Sequence, residues 1–248
     1  MNVGLRSVLL RLPLRYEVQS MDVQSIDVQP WQVRAQIYDG FLHKGAPPSL
    51  WQIAQNVQAD EEIVGRLMRE LHAQHHIVLG QDTELIAAHP FSNVPTIFDV
   101  TFGRVKAWGF CIWDALGIAA MSGKDTNIET ACAFCLHHIL LEVVHGRLAM
   151  EHEYVAQFLV PAQRMWDDVK FTCSTQLAFC DETHAKRWRE RYHREPGSIL
   201  SMQKTWDLAR LWYSEDRREA TWRRRTPQES NAIFNRLELP QPFWHLVP

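Results

Sequence analysis

Residues 98–125, FDVTFGRVKAWGFCIWDALGIAAMSGKD, change character half-way along. Up to Phe110 the aromatic and β-branched residues predict extended chain, and from Asp114 to Met121 the small and apolar residues predict a helix. Further extended segments are predicted in HHILLEVVHG, QFLVPA and VKFTCSTQLAFC, and further helices over Asp181–Tyr192 and Ser201–Trp212. Strands and helices mixed in this way predict an α+β domain. The junction in the quoted stretch also poses a chemical question, because Cys111 stands one helical turn ahead of Asp114. It reads in three ways: a buried thiol beside an unrelated acid, a metal site, or a nucleophile beside a proton donor.

The bulk properties narrow the field. A chain of 248 residues buries about three-quarters of its unfolded surface, enough for a core without disulfides or metal staples. With 46% hydrophobic residues, 22% charged and a formal net charge of −3, nothing in the balance suggests a nucleic-acid binder. The apolar runs are cut by His, Glu, Asp or Lys well short of a bilayer span. Arg6, Arg11 and Arg15 near the start resemble a targeting pattern, but a continuous apolar stretch is lacking, so the segment reads as mature protein and the expected compartment is the cytoplasm. The five cysteines, an odd and uneven set, do not make a disulfide scaffold and are expected as thiols.

Four parts are expected along the chain. Residues 1–28 read as an N-terminal arm, in which MDVQS is echoed by IDVQP. Residues 29–90 read as a winged-helix-like module. In it, Pro30 opens one helix, Ser49 caps a second, Asp60 starts a third with Ile63, Leu67 and Leu71 on one face, and IVLG and LIAAHP form a hairpin. Its third helix carries Asp60, Glu61, Glu62 and Glu70 against Arg66 and Arg69, so packing is a better reading than DNA binding. Residues 91–213 read as the α+β domain, and 214–248 as a tail whose aromatics pack on the body.

Cys132 and Cys135 have the two-residue gap of a zinc knuckle, and Cys180 with His184 could complete four ligands. Neither pair is flanked by turn glycines, so Cys132 reads as a small buried hydrophobe and Cys135 as a strand-edge residue. His137 and His138, adjacent on a strand, face opposite ways, and His75 and His76 read as cationic partners of a helix C-terminus. Trp108, Trp113, Trp166, Trp206 and Trp212 read as core, with one or two walling a pocket. At the start of a helix, Cys111 is expected to ionise readily, and Asp114 beside it to be pushed towards its protonated form. Cys173, on a predicted strand of the same domain, is the natural third member. Two thiols and an acid suit a soft metal such as Hg(II) and the protonation of a carbon bound to it.

The stretch AWGFCIWDALGIAAMSGKD, with ACAFC, VPAQRMWDDVKFTCSTQLAFCDETHAKRW and LARLWY, resembles the alkylmercury (organomercurial) lyases, and the spacing of Cys111, Asp114, Cys132, Cys173 and Trp188 is that of the family. The resemblance implies a winged-helix-like module before a mixed α/β catalytic domain. It implies protonolysis of a carbon–mercury bond to a hydrocarbon and Hg(II), with no organic cofactor. By position, Cys111 and Cys173 would bind the organomercurial and hold the Hg(II) product, Asp114 would carry the proton and could be a further ligand, and Cys132 would be structural. Low-molecular-weight thiols or a mercury-accepting protein would take the Hg(II) away. Two other readings remain open: the same site acting on a non-mercury substrate, and a thiol or soft-metal sensor that binds DNA through the winged helix.

Overall fold

The computed structural model describes residues 28–192, 197–213 and 217–247, so the expected arm, apart from Val28, lies outside the described residues. Three helices come first: α1 (Pro30–Lys44), α2 (Leu50–Val57) and α3 (Glu61–Ala73). Each start follows local chemistry. Pro30 occupies the first turn of α1, where a missing N–H costs nothing, and Gly45 ends that helix at φ 77°, a left-handed conformation open to glycine. Ser49 and Gln52 cap α2 reciprocally through hydrogen bonds of 3.2 and 2.9 Å.

Strands β1 (Val78–Leu79) and β2 (Leu85–Ala88) form the hairpin that follows. It does not stand apart, because β2 pairs with β3 (Phe91–Ser92), which pairs with β5 (Val105–Gly109). The order of three helices and a hairpin therefore runs directly into the main sheet. That sheet is antiparallel and eight-stranded, completed by β4 (Asp99–Phe102), β6 (Thr126–Ala131), β7 (His138–Val144) and β8 (Arg147–Met150), in the order β1-β2-β3-β5-β4-β6-β7-β8. Along β7, Ile139, Leu141 and Val143 are buried while the residues between them face solvent, the alternation of a sheet packed on one face.

Helix α4 (Ile112–Ser122) follows β5 after Phe110 and Cys111 and is buried over most of its length. A helix apolar nearly all round needs cover on every side. α4 packs against β4 and β5 and, most extensively, against α7 (Met202–Tyr213). At the crossing, a Cβ on Gly117 would stand 2.4 Å from Cδ2 of Tyr213, so glycine is what lets the two helices approach.

A smaller sheet, β10-β9-β11, is built from β9 (Val155–Phe158), β10 (Leu177–Phe179) and β11 (Ser198–Ser201). Helices α5 (Val169–Ser174) and α6 (Glu182–Tyr192) flank β10 in the chain. The strand expected over VKFTCSTQLAFC is thus corrected: its first half is helical. Asp168 accepts a hydrogen bond of 2.9 Å from the N–H of Phe171 and caps α5, which overrides the β-branched bias of Val169 and Thr172. After α7, α8 (Pro227–Arg236) leads to Trp244, which is fully buried among Trp113, Phe158 and Phe234 and donates to Ser198 Oγ at 2.9 Å. Among the described residues no helix is long and apolar enough to cross a membrane.

Candidate active site

Cys111 is the N-cap of α4, and its sulfur lies 3.4 Å from the N–H of Asp114. This geometry places the two side chains together: Cys111 Sγ is 3.1 Å from Asp114 Oδ2. Cys173, in the last turn of α5, brings its sulfur to 3.8 Å from the same oxygen. The three residues singled out in the sequence therefore converge on one carboxylate. All three are buried, Asp114 being only 2% exposed.

Three further residues complete the arrangement. His89, after β2, places Nδ1 at 3.2 and 3.3 Å from the two carboxylate oxygens. Tyr213, the last residue of α7, donates its hydroxyl to Asp114 Oδ1 at 2.6 Å. Gln176 accepts from the Cys111 thiol at 2.9 Å through Oε1, and its backbone carbonyl accepts from the N–H of Ile112 at 3.2 Å. The residues around the carboxylate thus come from four separated parts of the chain.

The alkylmercury lyase profile matches residues 91–214, half of the chain, and takes in Cys111, Asp114, Cys173, Gln176 and Tyr213. The chain belongs to the alkylmercury lyase family. As a member it is a carbon–mercury lyase. Among solved structures, one described as the mercury-bound form of MerB2 superposes with a TM-score of 0.59 at 19% identity, covering 71% of this chain and 86% of that one. At that identity the likeness is one of fold. No curated protein matches the sequence.

The electrostatics of this lyase's site reverse the sequence-based expectation. Burial pushes the Cys111 thiol well above its ordinary pKa, and the hydrogen bond with Cys173 and the charge of Asp114 add to it. Burial raises the Cys173 thiol as well. For Asp114, burial is the largest influence and pushes upward. The neighbouring His89 and the hydrogen bonds from His89, Tyr213 and Cys111 outweigh it and hold the carboxyl below the usual range. Both directions favour protons on sulfur and charge on the carboxylate in the resting site. The helix N-terminus is where it was expected, but a thiol with 1% exposure loses more from desolvation than it gains from the dipole.

A cavity of about 390 Å³ opens onto Asp114 and Cys173, within the size range of small-molecule sites. Trp113, Trp166, Trp212 and Trp222 wall it, so three of the five tryptophans singled out in the sequence face the cavity. Arg224 and Arg225 lie over the rings of Trp166 and Trp212 at 5.0 and 5.2 Å and bring positive charge to its lining. His89 Nε2 and Trp113 Nε1 are buried polar atoms with no hydrogen-bond partner among the described residues, and both side chains line the cavity.

The histidine pair at the end of α3 is also corrected. His75 stacks face to face on Trp166 at 4.6 Å, and His76 is buried. Burial and the positive charges of Arg34, Arg217 and Arg224 press the His76 pKa down to about 4, so at neutral pH it is uncharged rather than a cationic helix cap. Cys132, Cys135, Cys180 and His184 also come together, with donor atoms all within 4.8 Å of one another. Sequence reasoning missed His89, Gln176 and Tyr213. Tyr213 lies in LARLWY, within the quoted resemblance, whereas His89 sits in LIAAHP with nothing local to mark it.

Proposed function

We propose that this lyase cleaves organomercurials by protonolysis, with Cys111 and Cys173 as the sulfur ligands of mercury and Asp114 as the proton carrier. One observation carries the reading: Asp114 Oδ2 is 3.1 Å from one buried thiol and 3.8 Å from the other, beside a cavity large enough for a small organomercurial. A substrate R–Hg–X, with X an exchangeable thiolate, enters along the tryptophan walls. As one of the two sulfurs bonds to mercury, its proton passes to the ionised Asp114 carboxylate. The other sulfur bonds next and X departs as HX, its proton coming from that second thiol. Two sulfur donors raise the electron density on the carbon, and Asp114, now protonated, delivers its proton as the carbon–mercury bond breaks. The sum balances as R–Hg–X plus two thiols giving R–H, HX and Hg(II) held by two sulfurs.

The low proton affinity of Asp114 suits both halves of this cycle. A carboxylate ionised at rest accepts a thiol proton, and once protonated it is a strong enough acid to attack a carbon centre. Tyr213 and His89 set that affinity through their hydrogen bonds to the carboxylate. After cleavage, His89 and Asp114 lie close enough to Cys173 to supply weaker third donors to Hg(II), and external thiols or a mercury-accepting protein then remove the metal. The test is hydrocarbon release from phenylmercury in excess thiol by the wild type and by Cys111→Ser, Asp114→Asn and Cys173→Ser. Turnover by the wild type alone supports the assignment. Stoichiometric mercury binding without benzene overturns it.

A further inference from the structure

We propose that Cys132, Cys135, Cys180 and His184 form a tetrahedral Zn²⁺ site that fastens the main sheet to the smaller one. The four residues take no part in the proposed reaction, and none of them lines the cavity. They come from two places in the chain. Cys132 and Cys135 lie on the turn between β6 and β7, Cys180 directly follows β10, and His184 is in the first turn of α6.

The first pair has the construction of a metal-binding knuckle. The N–H of Leu136 donates to the carbonyl of Cys132 at 2.9 Å, and the N–H of Cys132 donates to the carbonyl of His137 at 2.9 Å. Leu136 adopts φ 64°, so the left-handed residue that returns the chain into β7 is a leucine rather than a glycine. Its side chain is 77% exposed, so packing does not account for that conformation. The second pair is set by Asp181, whose Oδ1 accepts from the N–H of His184 at 2.8 Å and starts α6. A backbone hydrogen bond of 3.1 Å from Ala133 to Ala178 brings the two halves together.

Two of the spacings are those of a zinc tetrahedron, and all four donor atoms lie within 4.8 Å of one another. With Zn–S near 2.3 Å and Zn–N near 2.0 Å, a regular tetrahedron has edges of about 3.8 Å between sulfurs and about 3.5 Å between sulfur and nitrogen. Cys135 Sγ and Cys180 Sγ are 3.6 Å apart, and Cys132 Sγ and His184 Nδ1 are 3.6 Å apart. Three sulfurs and one imidazole form a closed ligand set of the kind used in structural zinc sites. The donor set also selects against magnesium and calcium, which take oxygen ligands.

The site has a structural consequence for catalysis. Cys180 directly follows the strand that begins one residue after Gln176 and four after Cys173, so a metal there would fix the position of β10 and with it the second thiol. The ion would act as a clip between layers and leave the chemistry to Cys111, Asp114 and Cys173.

The experiment is metal analysis of the full chain purified from zinc-supplemented cells, with free thiols counted in parallel and Co²⁺ exchanged for the native metal. We expect one zinc per chain in the wild type, in Cys111→Ser and in Cys173→Ser. We expect its loss in Cys135→Ser and Cys180→Ser and its retention in His184→Cys, which replaces one zinc ligand by another. The cobalt form should show the intense visible absorption of tetrahedral sulfur ligation. Because the cobalt spectrum is read on the wild type, a variant that fails to fold does not decide the matter. Sub-stoichiometric zinc without that spectrum, a Cys135–Cys180 disulfide in the thiol count, zinc that leaves when Cys111 or Cys173 is replaced, or a site that holds only Hg(II) would each overturn the proposal.

Discussion

Replacing Tyr213 by phenylalanine isolates the device that keeps Asp114 ionised. The ring is already held in place by its close approach to Gly117, so the change removes the hydroxyl and its 2.6 Å hydrogen bond to Oδ1 while leaving the packing intact. A hydrogen bond to a buried charge is worth about 1.5–3 kcal/mol, and that sum is lost from the ionised form alone. At 1.4 kcal/mol per decade, the equilibrium between carboxylate and carboxylic acid moves roughly 10- to 100-fold towards the acid. On the proposed mechanism the free enzyme accepts a thiol proton only while Asp114 is ionised, so the acid limb of the kcat/KM profile should move towards neutral pH. Well above that limb the two profiles should converge. The assay is hydrocarbon release from phenylmercury across pH, with kcat/KM taken from initial rates, since this ratio reports ionisations of the free enzyme. Superimposable profiles would refute the reasoning. So would a uniform fall at every pH, because it would mean that Tyr213 acts on the reacting atoms rather than through the carboxylate.

Gly117→Ala drives a methyl group against the Tyr213 ring and should cost about 1–3 kcal/mol, seen as a lowered Tm, with a pH profile shifted like that of Tyr213→Phe. His76 should make the fold acid-sensitive. The unfolded chain takes up its proton near pH 6.5 and the native one only near pH 4, so stability is complete above that window and falls as pH drops through it. Allowing for the partial solvent access of the site, the loss is on the order of 2 kcal/mol, and the urea midpoint of His76→Gln should fall less across the same window. Trp244→Ala should cost about 3–5 kcal/mol in urea unfolding, because a fully buried ring at the join of α4, α8 and the smaller sheet leaves a cavity that its neighbours cannot close.

What was legible in the sequence follows the range of the forces involved. The caps at Pro30 and Ser49, the alternation in β7 and the one-turn spacing of Cys111 and Asp114 are local, and all are present in the structure. Cys173 belonged with them through its match to a family pattern, although its strand proved to be a helix capped by Asp168. Charge states were read wrongly because ionisation depends on burial and on partners distant in the chain. His89 and Tyr213 lie 25 positions before and 99 after Asp114, and no periodicity connects them. The two-residue gap of Cys132 and Cys135 was visible in the sequence, but the approach of Cys180 and His184 to them depends on contacts between distant parts of the chain. Leu136 takes the left-handed position after Cys135, a choice that composition does not reveal.

The most direct test of the account is a single turnover of phenylmercury in D₂O, with enzyme in excess and the products followed by mass spectrometry. Protonolysis through Asp114 predicts benzene carrying one solvent-derived deuterium, released in step with Hg(II) becoming bound to Cys111 and Cys173. It also predicts Asp114→Asn enzyme that takes up phenylmercury but releases benzene about 10²–10⁴ times more slowly, the usual span for a positioned general acid. Benzene released by Asp114→Asn at the wild-type rate, or mercury retained by the wild type with its phenyl group still attached, would contradict it.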